Sequence, residues 1–184
     1  QKFPKHPVGW KGLGIALKQT GRLAESLTPM RTAVKLSPQD AEAHSNLGIT
    51  LQELGRLDEA EASHRQAIAR KPDHAENHYN FGITLRDLGR LDEAEASYRQ
   101  AIALKSDLAE AHSNLGDTLQ KLGRLDEAKA SLRQAIALKP DLAEAHSNLG
   151  LTLQGLGRHR EGIQEQILGD GVISFHLKNG FAVL

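Results

Sequence analysis

Histidines, paired carboxylates and asparagines recur along this chain, and these residue types can hold metals, move protons and bind peptide backbones. His44, His78, His112 and His146 stand 34 residues apart, and His74 lies four residues before His78. Two histidines at i, i+4 can share a zinc ion, but a site needs a further ligand and none accompanies His74 and His78. The periodic histidines are each separated from the next by an intervening helix, so they are read as packing residues, not a metal site. Asp58/Glu59, Asp92/Glu93 and Asp126/Glu127 have the form of acid/base pairs. They recur at the start of every second helix, where the helix dipole favours negative charge, so they are read as structural. The absence of cysteine removes disulfides, thiolate zinc sites, iron–sulfur clusters and cysteine nucleophiles. No nucleophile elbow, phosphate loop or dinucleotide fingerprint appears. The expectation is a protein that is not an enzyme and carries no metal or cofactor.

A second periodic set is Asn46, Asn80, Asn114 and Asn148. An amide side chain donates and accepts together, so evenly spaced asparagines suit the backbone of an extended peptide whatever its sequence. The alternative is that each amide bonds a neighbouring helix or water. Lys and Arg number 23 against 23 Asp and Glu, with a pI near 7.3, which argues against a surface built to neutralise phosphates. No nucleic-acid partner is expected. No apolar run approaches the ~20 residues of a membrane span and no signal peptide is seen, so a cytoplasmic location without membrane attachment is expected. The chain begins without Met and is read as a candidate fragment.

The elements that carry these residues follow from an internal repeat. The string AEAHSNLGITLQELGRLDEAEASHRQAIARKPDH from Ala41 is followed by two close copies, beginning at Ala75 and Ala109, and by a partial one from Ala143. A looser copy runs from Pro7 to Asp40, with Trp10, Leu13, Gly14, Leu17, Gly21, Ala33 and Pro38 in register. Within a unit, Ala43, Leu47, Leu51 and Leu54 share one helical face, and Glu42, Asn46, Ile49, Gln52 and Glu53 the other. Leu57, Ala60, His64, Ala67 and Ile68 step similarly after a break at Gly55, and Pro72 ends that second helix. Asp73/Glu76, Asp107/Glu110 and Asp141/Glu144 are expected to form capping boxes for the helices that follow. A glycine inside a helix costs about 1 kcal/mol relative to alanine. Gly48, Gly82, Gly116 and Gly150 are therefore expected to admit the second helix closely, opposite the small Ala60, Ala94 and Ala128. Pro29 is expected to kink the second helix of the first unit. No unit buries its apolar face alone, so stacking must supply the core.

These residues resemble tetratricopeptide repeats: a 34-residue unit with Leu-Gly at positions seven and eight, Gly at fifteen, Ala at twenty and twenty-seven, and Pro at thirty-two. The resemblance implies an all-α, right-handed α-solenoid of helix-turn-helix repeats. The wording AHSNLG…GRLDEAEASYRQAIALKPD is similar to arrays of bacterial multidomain transferases and O-linked N-acetylglucosamine transferases, where an asparagine ladder holds peptide. It also implies that first helices line a concave surface carrying Asn46, Asn80, Asn114, Asn148, Tyr79, Gln52, Arg86, Asp117, Gln120, Lys121 and Gln154. The expected function is an interaction scaffold binding an extended peptide or protein partner along that surface. The alternatives are the substrate-recognition region of a larger bacterial glycosyl-, sulfo- or methyltransferase, and a self-assembly module. The family's chaperone-tail carboxylate clamp is not matched. Lys11 and Asn46 fit it, but Ile15 stands where Asn is needed and Glu76 and Asn80 where cations belong. Registers one or two repeats later place Glu110 or Glu144 at the Lys position.

The expected division is the end of a truncated repeat at 1–6, a divergent repeat at 7–40, full repeats at 41–74, 75–108 and 109–142, a partial repeat at 143–168, and an apolar tail at 169–184. In that tail VISFHLKNGFAVL surrounds Asn179-Gly180, the strongest short hairpin signal. An isolated hairpin is marginal, so it calls for a partner: a downstream domain, the last helix, or another chain. A homo-oligomeric contact through Ile173, Phe175, Leu177, Phe181 and Val183 is the expectation.

Overall fold

The computed structural model describes residues 6–158. First helices α1 (Pro7–Gln19), α3 (Ala41–Glu53), α5 (Ala75–Asp87) and α7 (Ala109–Lys121) alternate with second helices α2 (Leu23–Leu36), α4 (Leu57–Arg70), α6 (Leu91–Leu104) and α8 (Leu125–Leu138). Residues 143–158 are helical and open the next unit as α9. The expected hairpin, with Ile173, Phe175, Leu177, Phe181 and Val183, lies outside the described residues, as do residues 1–5 and the remainder of the last unit from 159.

The turn inside each hairpin is set by one glycine. Gly21, Gly55, Gly89 and Gly123 have φ between 73° and 76°, a region that disfavours any residue with a Cβ. At Gly55 the amide donates to Gln52 O at 2.8 Å, and the Arg56 amide donates to Leu51 O at 2.9 Å. Those two bonds satisfy carbonyls that the end of α3 would otherwise leave open.

The starts of the first helices differ from the sequence expectation. Asp40 is the N-cap of α3, its carboxylate accepting from the Ala43 amide at 3.1 Å. Asp73 and Asp107, however, sit one residue too early. His74 and Leu108 are the N-caps of α5 and α7, and neither helix has a side-chain cap. The same offset precedes residue 143, where α9 begins. The three-residue spacing in sequence was right for a capping box, but the turn places the aspartate before the cap position, so the boxes at Asp73/Glu76, Asp107/Glu110 and Asp141/Glu144 do not form.

Gly48, Gly82 and Gly116 do admit the second helix, through a residue other than the small alanines, whereas the segment that would face Gly150 lies outside the described residues. A Cβ on Gly48 would lie 2.6 Å from the His64 ring, one on Gly82 2.6 Å from the Tyr98 ring, one on Gly116 2.5 Å from Leu132, and one on Gly14 2.8 Å from Met30. Each of these four hairpins is thus a hole-and-plug pair, with a bulky side chain four residues beyond Ser26, Ala60, Ala94 or Ala128 seated on the glycine. Ala60, Ala94 and Ala128 are fully buried beside these contacts. Pro29 is buried within α2, which continues unbroken through it from Leu23 to Leu36.

Helices pack with their partner in the hairpin and with the first helix of the next unit. First helices of successive units also meet, α1 with α3, α3 with α5 and α5 with α7, whereas backbones of successive second helices do not approach one another. The stack therefore bends toward its first helices, which form the concave side. The core is a chain of local clusters, one around Met30, Leu47 and Leu51, one around Leu85, Tyr98, Leu115 and Leu119, and one around Leu132, Ala135 and Ala145. This is the packing of a quasi-one-dimensional solenoid.

Candidate functional site: the concave face

On the concave side the first helices are stitched together by polar side chains that reach from one unit to the next. Asn80 donates to the Ser45 hydroxyl at 3.5 Å, and Asn114 donates to the Tyr79 hydroxyl at 3.3 Å. Arg86 donates to the Asn114 amide oxygen at 3.4 Å and pairs with Asp87 at 3.2 Å. Gln52 donates to Asp87 at 2.9 Å, and Lys121 pairs with Asp117 at 2.8 Å along α7. Gln120 and Asn148 are half-buried and Gln154 is exposed. The asparagine ladder is therefore not uniform. Asn114 is buried and held by Tyr79 and Arg86, while Asn46 and Asn80 border open space.

That space is a cavity of about 310 Å³ between α3 and α5. Ser45, Asn46, Ile49 and Glu42 line it from α3, Asn80, Asn77 and Glu76 from α5, and Lys71 and His74 from the loop that joins α4 to α5. The small Ser45 leaves the cavity open; in the next unit the same position carries Tyr79. Lys71 and Asn77 were not singled out by sequence reasoning, and His74 was weighed there only as a metal ligand. The signal available was departure from the repeat: Asn77 stands where Ala43, Ala111 and Ala145 stand, and His74 where Leu108 and Leu142 stand. Asn77 is buried and donates to Lys71 O at 3.3 Å and Ala67 O at 3.4 Å, tying the loop to the end of α4.

Charge on this face is mostly internally compensated. Lys11 bridges Asp40 at 3.1 Å and Glu42 at 2.8 Å. Burial opposes the Lys11 charge, but the Glu42 and Asp40 carboxylates outweigh it and hold its pKa above the ordinary lysine value. Lys11 is thus already engaged, which further separates this face from the chaperone-tail clamp. Lys18 pairs with Glu53 at 2.7 Å.

The periodic residues that suggested chemistry have structural partners. His44, His78, His112 and His146 each place Nε2 against a loop carbonyl six residues earlier, at 3.0, 2.8, 3.1 and 2.8 Å. The rings clasp the turns between units. Thr50, Thr84, Thr118 and Thr152, fully buried, donate to the carbonyls of Asn46, Asn80, Asn114 and Asn148 at 2.8 to 3.3 Å. The second-helix carboxylates form ion-pair ladders on the other side of the stack. Arg56 and Arg31 bind Glu59, and Arg124 and Arg99 bind Glu127. These guanidiniums hold Glu59 and Glu127 below the ordinary carboxylate range, the reverse of what a proton donor needs.

A family model for the TPR repeat matches residues 14–55, 82–123 and 117–157, and one for the tetratricopeptide repeat matches residues 41–74. The chain belongs to the tetratricopeptide repeat (TPR) family. Among solved structures, this TPR chain is similar to the MamA protein at 21% identity and TM-score 0.75, with 97% of each chain covered. YrrB, a TPR protein with an unusual peptide-binding site, is similar at 22% identity and TM-score 0.70, over 95% of this chain and 93% of YrrB. The first TPR of Spaghetti (RPAP3), bound to the HSP90 peptide SRMEEVD, matches at 25% identity and TM-score 0.63, over 65% of this chain and 94% of that one. No curated protein matches the chain. Among the described residues no helix is long and apolar enough to cross a membrane.

Proposed function

We propose that this TPR array is a non-enzymatic interaction scaffold that binds an extended segment of a partner protein along its concave face, centred on the α3/α5 cavity. The observation that carries the reading is the cavity of about 310 Å³, where Asn46 and Asn80 meet Ser45 on one side and Ile49 supplies an apolar wall. Side-chain amides and a hydroxyl around an open apolar floor match the alternating polar and apolar demands of a peptide. The stitched pairs Gln52–Asp87, Arg86–Asn114 and Lys121–Asp117 keep the rest of the face preformed, so little ordering entropy is lost on binding. TPR neighbours that hold peptides, RPAP3 with an HSP90 peptide and YrrB with its peptide-binding site, support the same use of the fold. On this reading the histidines, threonines and second-helix carboxylates build the array and the concave side chains read the partner.

The test is selection of peptides from a random displayed library on the intact chain, followed by titration against Asn46→Ala combined with Asn80→Ala. Loss of two amide contacts should weaken selected peptides about tenfold or more, with helical circular dichroism unchanged. Peptides that bind the double variant as tightly as the parent would remove this face from consideration.

A further inference from the structure

Resting on the concave-groove reading, the pattern of lysine pairing identifies a chemical preference in the α3/α5 cavity. Each full unit ends with a lysine at the same place: Lys71, Lys105 and Lys139. Two of them turn back onto the glutamate at the start of their own unit, Lys105 to Glu76 at 3.5 Å and Lys139 to Glu110 at 3.0 Å. The glutamate in the corresponding place for Lys71 is Glu42, and the preceding unit has taken it. Lys11 reaches across from α1 and pairs with Glu42 at 2.8 Å. Among the described residues Lys71 is left with no ion pair and no side-chain hydrogen bond.

Two departures from the repeat, Asn77 and His74, and the small serine that most units keep at the place of Ser45 surround the same cavity. Asn77 replaces an alanine and anchors the Lys71 carbonyl at 3.3 Å. Ser45 leaves open the space that Tyr79 occupies one unit later, and His74 replaces a leucine in the cavity wall. The other charges in the wall are compensated, Glu42 by Lys11 and Glu76 by Lys105. Lys71, its backbone held by Asn77 and its exposed ammonium uncompensated among the described residues, lines the same cavity as the Asn46 and Asn80 amides and the Ser45 hydroxyl, a set of donors that suits a carboxylate.

We propose that Lys71 recognises a carboxylate of an acidic partner peptide in the α3/α5 cavity, in place of Lys11, which Asp40 and Glu42 already hold. The probes are a short glutamate peptide blocked at both ends, the same peptide with a free C-terminus, and a blocked glutamine peptide. Binding is followed by fluorescence anisotropy with the parent chain, Lys71→Ala and Lys139→Ala. Lys71→Ala should weaken the glutamate peptides about tenfold, as expected for loss of a charge-assisted bond. Lys139→Ala should stay within about twofold, because its ammonium is already paired and lies two units away. Equal binding of blocked and free-ended peptides assigns side-chain carboxylates, and binding of the free-ended form alone assigns the terminal one. Failure of both glutamate peptides to bind, equal affinity for glutamine, or equal losses in both lysine variants would overturn the assignment. In that event the groove itself stands if library-selected peptides still lose affinity on Asn46→Ala with Asn80→Ala, and falls with it if they do not.

Discussion

His64 is fully buried against Gly48 with neither ring nitrogen hydrogen-bonded, a neutral imidazole used as a packing plug. Burial drives its pKa down from 6.5 to about 4. The direction sets the sign: the folded chain disfavours the protonated ring, so the full stability is present above pH 6.5 and declines as pH falls toward about 4. Complete protonation would cost roughly 3 kcal/mol. His64→Leu, which installs the residue that Leu132 carries at the same place, should flatten the fall in Tm between about pH 7 and about pH 5. Thermal melts of the two chains check this, and an identical fall in both would refute it. Lys71 is the contrasting case at this scale, a residue whose role was invisible as a type and emerged only from what its neighbours had already bound.

At the scale of the helical hairpin, two glycines of one unit do different work. Gly89 has φ 76° and open space around it, so Gly89→Ala should cost about 1 kcal/mol through backbone strain alone. Gly82 is helical, and a Cβ there would sit 2.6 Å from the Tyr98 ring, so Gly82→Ala should cost about 2 kcal/mol through overpacking. Placing each alanine in a Tyr98→Ala background separates the two. The Gly82 penalty should vanish there while the Gly89 penalty persists, and denaturant unfolding of the six chains, parent and Tyr98→Ala included, measures the coupling. Additive costs at both positions would contradict the hole-and-plug account. The helices and turns themselves were legible in the sequence, because the apolar stripe, Gly55 and Pro72 act through local chemistry. The capping boxes were misread because a spacing of three says nothing about which residue the turn delivers to the cap.

Across the whole array, stability should be greatest at its centre. Interfaces between units carry ion pairs that cross the second helices, Arg90 to Glu61 at 2.7 Å and Arg124 to Glu95 at 2.5 Å. At the first interface Leu27 stands where Glu61 and Glu95 stand later, so Arg56 pairs with Glu59 of its own helix and the pair that crosses the second helices is Arg31 to Glu59 at 2.7 Å. Among the described residues the unit of α1 and α2 packs on one neighbouring unit instead of two. Hydrogen exchange should therefore be slowest in α5, α6 and α7 and fastest in α1 and α2, and uniform protection along the chain would contradict this. Such a gradient puts the α3/α5 cavity in the stable part of the array, next to the unit that supplies Lys11.

The sequence by itself determined the repeat, the helical hairpins, their apolar faces and the side of each first helix that carries polar residues. Those features arise within a unit, from periodicity, glycine and proline, and are copied wherever the unit is copied. Only the tertiary structure decided which of the near-identical positions are available. Asn46 and Asn80 border a cavity while Asn114 is held by Tyr79 and Arg86, and among the described residues Lys71 has no ion pair while Lys105 and Lys139 are paired. The physical reason is that a side chain's partner in a solenoid comes from the neighbouring unit, and neighbours that differ at a few positions give the same residue a different surrounding.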